Sequence, residues 1–430
     1  MIYSCKTFLI DASMQKTVFI KIFLLLFFML AVIASSAQIP LDIHAYSKHA
    51  ETKLLLNNNL LSFSWPTDKD EFGKMVLNLS KDRPLFESIQ LSNKEIASGI
   101  DPAFLLTIGK RDLVSQNGWN IFFDKVPLKP HESYAVNFEK DSVRVITEGS
   151  HTIIRISKMH AATFSGYLDI TLYNGSPLFN IAAVMSTNVD STAILYDVAL
   201  VSKDALWKRI AWSDTKDQMQ SAEANKDDTA LNLAVKYRTI IGESNNGSLA
   251  IFPPPHQYFY PLDEAFNLKF TWYGNNYRKM IPGFGMGIRQ KLEGDNRFVP
   301  WFNAPPGTMQ RLNFFCLLSV DKPAAAIDEV KRFTHNDVYI SLPGYKTMCS
   351  HFHNEFIMNV VLKNKPVPEH PSFVDVFKNT GIDIVHLAEF HYTAHPKGPD
   401  DQRLNELHAL FDQCKRLSDK DFLLLPGEEP

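Results

Sequence analysis

The side chains best suited to chemistry cluster near the C-terminus. Seven of the 14 histidines of this 430-residue chain lie between His351 and His408. Histidine or carboxylate groups stand at the end of each of three short apolar segments there. These candidate metal ligands are His351, His353, Glu389, His391, Glu428 and Glu429. Because imidazole and carboxylate groups suit Zn, Mn or Fe about equally, and such ions activate bound water, the pattern favours a metal-dependent hydrolase.

The spacing of His351 and His353 is the most specific part of this pattern. On an extended segment, residues two apart point to the same side with Cα atoms about 6.5 to 7 Å apart, so both imidazoles can reach one ion. A lone His-x-His also arises by accident, and Glu428 and Glu429 also fit a solvated turn. Their coincidence at successive strand ends favours metal binding. His386 is kept as a supporting or neutral residue.

The elements that carry these groups alternate in type. Apolar spacing predicts strands at 348–352, 382–387 and 422–425, and helices at 371–379 and 404–417. Strands separated by helices indicate a parallel sheet or the opening of a β/α barrel. In such sheets the carboxyl ends of the strands meet at one edge, so the candidate ligands are expected to converge there.

The segment 346–430 resembles the start of the PHP (polymerase and histidinol phosphatase) family, a distorted β/α barrel that holds two or three metal ions and hydrolyses phosphoesters. The resemblance rests on His351-x-His353, on the apolar strand that leads to His391, and on Gly427-x-Glu429. It implies that His351, His353, His391 and Glu429 are metal ligands. It also implies a phosphoester substrate of small size.

Two departures from the family pattern are visible. Glu389-Phe390-His391 replaces an adjacent acid and histidine, and Asn359 stands where the family has His or Asp, so Glu355 or Glu389 could supply a further ligand. Family members also continue with further strands and ligands after the position of Pro430. We therefore expect a truncated barrel with little or no hydrolase activity by itself.

A different pattern fills the region before residue 320. Apolar and polar residues alternate, as in 168–173 and 178–185, which flank the turn pair Asn174-Gly175. A second pair, 237–241 and 249–252, flanks Asn246-Gly247, and 268–272 is predicted as a half-buried strand. The sequence predicts a large antiparallel β-sandwich over 38–320, a linker helix within 321–343, and the first β/α units of the barrel over 344–430.

The sandwich offers an alternative function. Its size suggests by analogy a carbohydrate-binding or carbohydrate-active protein with a degenerate C-terminal segment. Aromatic residues such as Tyr258, Trp272 and Trp301 could stack on sugars if exposed, or fill the core. Gly283, Gly285 and Gly287 lack the helix that a dinucleotide site needs, so they are assigned to turns or bulges. A weaker hypothesis is a nucleophilic Cys349 beside His351.

The N-terminus and the charge balance limit the compartment and the partners. Positive residues, the apolar run 22–34 and Ser35-Ser36-Ala37 predict a signal peptide over 1–37, cut after Ala37, although an uncleaved anchor helix is the alternative. We expect a secreted or periplasmic protein without stable membrane insertion. The net charge of −3 argues against a nucleic-acid partner. Four cysteines are too few for a disulfide scaffold, and the oligomeric state stays open.

Overall fold

The computed structural model describes residues 39–68, 70–110, 130–225, 227–254, 269–290, 292, 301–353, 355–389 and 397–428. The first strands are β1 (Leu41–Asp42), β2 (Lys53–Asn57), β3 (Leu60–Asp68), β4 (Glu71–Asn78), β5 (Phe86–Leu91), β6 (Lys94–Lys110), β7 (His131–Ala135), β8 (Asn137–Glu148), β9 (His151–Ala161), β10 (Phe164–Tyr173), β11 (Leu178–Ser186) and β12 (Thr192–Ser202).

The second half of the β-rich region contains shorter strands. These are β13 (Arg209–Ser213), β14 (Met219–Glu223), β15 (Leu231–Leu233), β16 (Ile240–Glu243), β17 (Ser248–Phe252), β18 (Thr271–Tyr277), β19 (Ile281–Ile288), β20 (Phe302–Asn303) and β21 (Gln310–Ser319). The elements that follow are helix α1 (Pro323–Thr334), strand β22 (Met348–Phe352), helix α2 (Ser372–Asn379), strand β23 (Ile384–Glu389), helix α3 (Asp400–Leu417) and strand β24 (Leu423–Glu428).

Two large, mainly antiparallel sheets make up the β-rich region. The ten-stranded sheet has the order β1-β8-β9-β10-β11-β21-β17-β16-β13-β14. The eleven-stranded sheet has the order β15-β18-β19-β12-β6-β5-β4-β3-β2, with β20 paired to β12 and β7 paired to β6. The predicted large antiparallel sheets are therefore confirmed.

The inner faces of the two sheets share an apolar core. Phe104 of the eleven-stranded sheet lies 6.0 Å, ring centre to ring centre, from Phe314 of the ten-stranded sheet. The buried Tyr196 hydroxyl donates a hydrogen bond to the Asn313 carbonyl across the same interface. Because adjacent residues of a strand point to opposite faces, this contact also fixes which residues lie on the outer face of each sheet.

The turn chemistry of the sequence is reproduced in the hairpin of β10 and β11. Gly175 has a φ of +81°, which glycine adopts without strain, and Leu172 pairs with Phe179. The predicted hairpin is confirmed. The second predicted pair is also present as β16 and β17, although β16 begins at Ile240 rather than at residue 237.

Helix α1 covers part of the outer face of the ten-stranded sheet. It starts at Pro323, where a missing N–H costs nothing, and it ends with His335 in the left-handed region. Ala326, Ile327 and Val330 are buried against apolar residues of β11, β13, β16, β17 and β21. The predicted helix is confirmed.

The C-terminal strands form a separate three-stranded parallel sheet in the order β22-β23-β24. One face of this sheet, including Val385, Leu387 and Leu424, packs against α3 through Leu410 and Cys414. The predicted order of strands and helices is confirmed. In the part of the chain that the structure describes, these strands form an open sheet and not a closed barrel.

Within the residues that the structure describes, no helix combines the length and the apolar character that crossing a bilayer requires. The signal-peptide prediction falls on residues 1–37, which lie outside the described residues.

Candidate functional site

The histidine pair converges as its spacing predicts. The Nε2 atoms of His351 and His353 lie 2.7 Å apart, and the ring centres are 4.6 Å apart. Phe352, between them, points the other way and meets the Phe377 ring edge-on at 4.7 Å. An irregular register between Cys349 and Phe352 lets both of these residues pack against the apolar cluster, and it leaves the two imidazoles on the opposite face.

Glu389 takes a different place from the histidine pair. It is the last residue of β23 and is 2% exposed. By strand alternation it shares the face of Val385 and Leu387, toward which Phe352 also points. Burial, and secondarily the Glu389 charge, raise the pKa of the Cys414 thiol on α3 to about 12. The structure therefore puts Glu389 on the helix-covered face, away from the histidine pair.

The remaining predicted ligands are only partly within the described structure. Glu428 is the last residue of β24 and its backbone pairs with Glu389. This strand includes Gly427 and Glu428, which the sequence analysis placed after the strand. His391 and Glu429 lie outside the described residues. Over the described ranges, no group of three or more His, Cys, Asp or Glu residues is arranged to hold a metal ion.

His386 is fixed on the same face as the histidine pair. Its Nδ1 lies 2.9 Å from the Ser350 carbonyl oxygen, which can only accept, so Nδ1 carries the proton of this bond. A Cβ atom added to Gly427 would lie 1.9 Å from Nε2 of His386. A Cβ atom at position 427 would therefore displace the His386 ring, and glycine leaves room for it.

A second polar site lies on the outer face of the ten-stranded sheet. Arg155 donates from Nε and Nη2 to the two carboxylate oxygens of Asp169, at 2.9 and 3.0 Å. Arg311 donates from Nη1 to Asp169 at 3.5 Å and from Nη2 to the Asn180 side-chain oxygen at 3.2 Å. The Arg155 guanidinium also lies over the Tyr167 ring, 3.8 Å from its centre. We call these five residues the Asp169 cluster.

Strand register explains how distant residues form the Asp169 cluster. Arg155, Asp169, Ala182 and Asn313 form one row across β9, β10, β11 and β21. Because Ala182 has only a methyl group, the row has room beside it for the Arg311 guanidinium. The Asp169 side chain is 3% exposed, whereas Arg155 and Arg311 are 31% and 43% exposed. The cluster thus has a buried anion and a cationic surface.

The sequence pattern did not indicate this site. Asp169 is one of the polar residues that alternate with Leu168 and Ile170, a pattern that fits a solvent-exposed face. The available signal is three charged residues, Arg155, Asp169 and Arg311, each next to a buried apolar residue of its strand. These residues come together only through the pairing register of β9, β10, β11 and β21, which cannot be read from the sequence alone.

The eleven-stranded sheet contains a third polar cluster, around Asp197. This carboxylate accepts from the Tyr277 hydroxyl, from Nη1 of Arg278 and from the Gln290 backbone N–H, each at 3.1 Å. Arg289 donates from Nε to the Tyr277 oxygen at 3.2 Å. Burial, together with the Asp197 charge, raises the pKa of Tyr277 well above its usual value, so the phenol stays protonated. These mutually paired groups serve the stability of the sheet.

Of the aromatic residues proposed for sugar stacking, Trp272 is in the core. Trp272 is fully buried and stacks on Tyr277 at 3.8 Å between ring centres, so the strand there is buried rather than half-buried. Trp301 is half-buried beside His131. Tyr258 lies outside the described residues. The core interpretation is confirmed for Trp272.

The three glycines near Trp272 lie within β19. Gly283 has a φ of +84°, whereas a Cβ on Gly285 would lie 2.7 Å from the Trp272 ring and one on Gly287 would lie 2.0 Å from the Val198 carbonyl oxygen. The assignment to turns or bulges was wrong for Gly285 and Gly287. Their role is close packing inside a strand.

Comparisons with known proteins find remote structural likeness only. No protein-family profile and no curated protein matches the chain. A GH36 α-galactosidase from Geobacillus stearothermophilus aligns at 10% identity and a TM-score of 0.39, covering 87% of this chain and 56% of that one. A glycosyl hydrolase family 38 protein from Enterococcus faecalis aligns at 9% identity and a TM-score of 0.32, covering 68% and 34%.

A putative aldose 1-epimerase from Escherichia coli K12 aligns at 6% identity and a TM-score of 0.30, covering 60% of this chain and 99% of that one. The chain therefore spans about half of the α-galactosidase and a third of the family 38 protein. These solved structures are carbohydrate-active enzymes by description. At such low scores the likeness carries no conclusion about the activity of this chain.

Proposed function

We propose that the β-sandwich binds a saccharide on the outer face of the ten-stranded sheet, through the Asp169 cluster. The observation that carries this proposal is the arrangement of Arg155, Asp169, Asn180 and Arg311 beside the Tyr167 ring. Planar side chains with several donors and acceptors can pair with neighbouring hydroxyl groups of a sugar, and an aromatic ring can cover its apolar face.

The cluster is organised before any ligand arrives. Asp169 holds Arg155 in a two-point ion pair, whereas Arg311 makes a longer contact, 3.5 Å, with the same carboxylate. Each guanidinium has five N–H donors and uses two of them in these contacts, so both retain donors for a ligand. Side chains that are already ordered lose little conformational freedom on binding, and this supports affinity.

The proposal can be tested with immobilised oligosaccharides, neutral and acidic, offered to the purified chain. Arg311→Gln should weaken binding about tenfold or more, because it removes a charged donor at the exposed side of the cluster. Arg332→Gln, a matched change on the exposed side of α1, should leave binding unchanged. Failure to bind any saccharide, or equal binding by both variants, would contradict the proposal.

A second candidate function, a metal-dependent phosphoesterase of PHP type, is favoured by the histidine pair. Two donors on one tetrahedral ion with bonds of about 2.0 to 2.1 Å lie a little over 3 Å apart. The Nε2 atoms of His351 and His353, at 2.7 Å, would suit this after a small ring rotation. Zn, Mn or Fe would be held by these two residues, with His391, Glu428 or Glu429 as further ligands, and would activate water for attack on phosphorus.

Metal analysis distinguishes this second candidate from the first. After dialysis against zinc or manganese, the chain should retain up to one ion, and His351→Ala or His353→Ala should release it. His408→Ala, an exposed position on α3, is the matched control. A metal content near zero, or one that is unaffected by the histidine pair, would remove this candidate and leave the saccharide proposal intact.

Export is part of both candidates. The predicted signal peptide over 1–37 would deliver the chain to the periplasm or the medium, where saccharides and phosphoesters are available. N-terminal sequencing of the exported protein should begin at Gln38. A product that retains residues 1–37 would favour the anchor alternative.

A further inference from the structure

Three arginine side chains lie near one another on the outer face of the ten-stranded sheet. Arg144 of β8 pairs directly with Arg155 of β9, so two cationic side chains lie opposite each other on one face. Arg311 adds a third. Three carboxylates face them: Asp169, Asp42, which lies 3.3 Å from Nε of Arg144, and Glu148 of β8, whose charge acts on Arg155. The charges in this group balance, but Arg155 and Arg311 have only one directly bonded carboxylate between them.

A further anion beside Arg155 and Arg311 would be stabilising. Like charges directly opposite in an antiparallel pair destabilise a sheet, and the guanidinium groups of Arg155 and Arg311 share a single carboxylate. Their exposed fractions, far above that of Asp169, leave the cationic side open to a ligand. An oxyanion placed there would meet charged donors from two sides.

We propose that the ligand of this site is an acidic saccharide, whose carboxylate or sulfate group binds between the guanidinium groups of Arg155 and Arg311. This inference rests on the proposed saccharide-binding function and adds the chemical class of the ligand. Arginine presents parallel N–H donors that match the oxygen spacing of such groups, which a lysine ammonium does not.

Arg311 is the member of the cluster best able to turn toward the ligand. Its bond to Asp169 is 3.5 Å long, against 2.9 and 3.0 Å for those of Arg155. A shift of its guanidinium would open the Asn180 side-chain oxygen and the neighbouring Asn313. The Asn313 side-chain oxygen is buried and has no hydrogen-bond partner among the described residues. It is therefore available to accept from a sugar hydroxyl near the anionic group.

The test compares ligands that differ only in charge. Calorimetric titration of the full chain would use oligogalacturonides and their methyl esters, and a sulfated oligosaccharide with its desulfated form. We expect the charged member of at least one pair to bind about tenfold more tightly at low salt. The preference should shrink as salt is raised, because exposed charges are screened over about 10 Å at 0.1 M.

Variants separate the role of the parallel N–H donors of arginine from the role of its charge alone. Arg311→Gln should abolish the preference for the charged ligand, and Arg311→Lys should reduce it, because lysine keeps the charge and loses the paired donors. The thermal unfolding of each variant should match that of the parent chain within a few degrees, which excludes misfolding. The pair with the larger preference identifies carboxylate or sulfate as the anion.

Other results of these titrations would contradict the acidic ligand class, the binding site or the saccharide function. If charged and neutral partners bind equally well, the acidic class is wrong and the saccharide function stands. If Arg311→Gln keeps the full preference, the anion binds elsewhere and this site is wrong. If no member of either pair binds while neutral glycans do, the acidic class also fails. If no glycan binds at all, the saccharide function fails with it.

Discussion

Arg155 and Asp169 lie directly opposite each other on β9 and β10, and the arginine holds both oxygens of the buried carboxylate. This pair organises the outer face of the ten-stranded sheet. It orients the Arg155 guanidinium over the Tyr167 ring, and its carboxylate is the second hydrogen-bond partner of Arg311, besides Asn180. The consequences concern both stability and ligand binding.

Removing the Asp169 carboxylate should destabilise the sandwich. Asp169→Ala leaves two guanidinium groups without their anion, and because these groups are partly exposed we expect a loss of about 1–3 kcal/mol in the free energy of unfolding. Glu329→Ala, which removes an exposed ion pair with Arg332, should cost less than about 1 kcal/mol. Denaturant unfolding measures both, and equal costs would mean that Asp169 does not organise the face.

The hydroxyl of Tyr277 should matter for stability and not for binding. Tyr277→Phe removes a donor to Asp197 and an acceptor for Arg289, both in buried surroundings, so it should cost about 1–3 kcal/mol. Tyr134→Phe removes a hydroxyl bonded to the exposed Glu132 and should cost much less. A loss of saccharide binding in a folded Tyr277→Phe variant would move the site to the eleven-stranded sheet.

Packing of Gly285 against Trp272 should be tight enough to detect. Gly285→Ala introduces a methyl group 2.7 Å from the indole ring and should destabilise the sandwich by about 1–3 kcal/mol. Combining it with Trp272→Leu should cost less than the sum of the two single changes, because the smaller side chain leaves room. Strict additivity would indicate that the two residues do not clash.

Asp419 should make the stability of the C-terminal segment depend on acidity. Lys378, at 2.7 Å, and backbone N–H groups of Asp421 and Phe422 lower the pKa of Asp419 from 3.8 to about 2. A lowered folded pKa means that stabilisation is complete above pH about 4 and is lost as the pH falls toward about 2. The difference in stability between the chain and Asp419→Asn should therefore vanish over that range.

The matched control for this pH dependence is Asp412→Asn, at an exposed position of α3. Denaturant midpoints measured between pH 2 and 5 check both variants. A pH-independent difference for Asp419→Asn would show that the carboxylate gains nothing from its partners on folding.

Local patterns in the sequence predicted much of the secondary structure. Turn chemistry at Asn174-Gly175 predicted a hairpin, helical spacing predicted α1, and apolar runs predicted the three C-terminal strands. These features depend on residues close together in the chain, so periodicity and turn propensity suffice. The convergence of His351 and His353 follows from the same short-range geometry.

The Asp169 cluster could not be predicted in that way. Arg155 and Arg311 are far apart in sequence and meet only because β10, β11 and β21 pair in one particular register. Period-two alternation separates the two faces of a strand. It does not reveal which polar residues will be covered by long side chains of neighbouring strands. Asp169 is buried in this way beneath arginines of two other strands.

The most direct test is a crystal structure of the chain with the oligosaccharide that binds most tightly in the titrations. We expect an anionic group of the ligand to lie within hydrogen-bond distance of the Arg155 and Arg311 guanidinium groups, with a sugar ring near Tyr167. Ligand density on any other surface, for instance beside Trp301 and His131, with the Asp169 cluster empty, would contradict it.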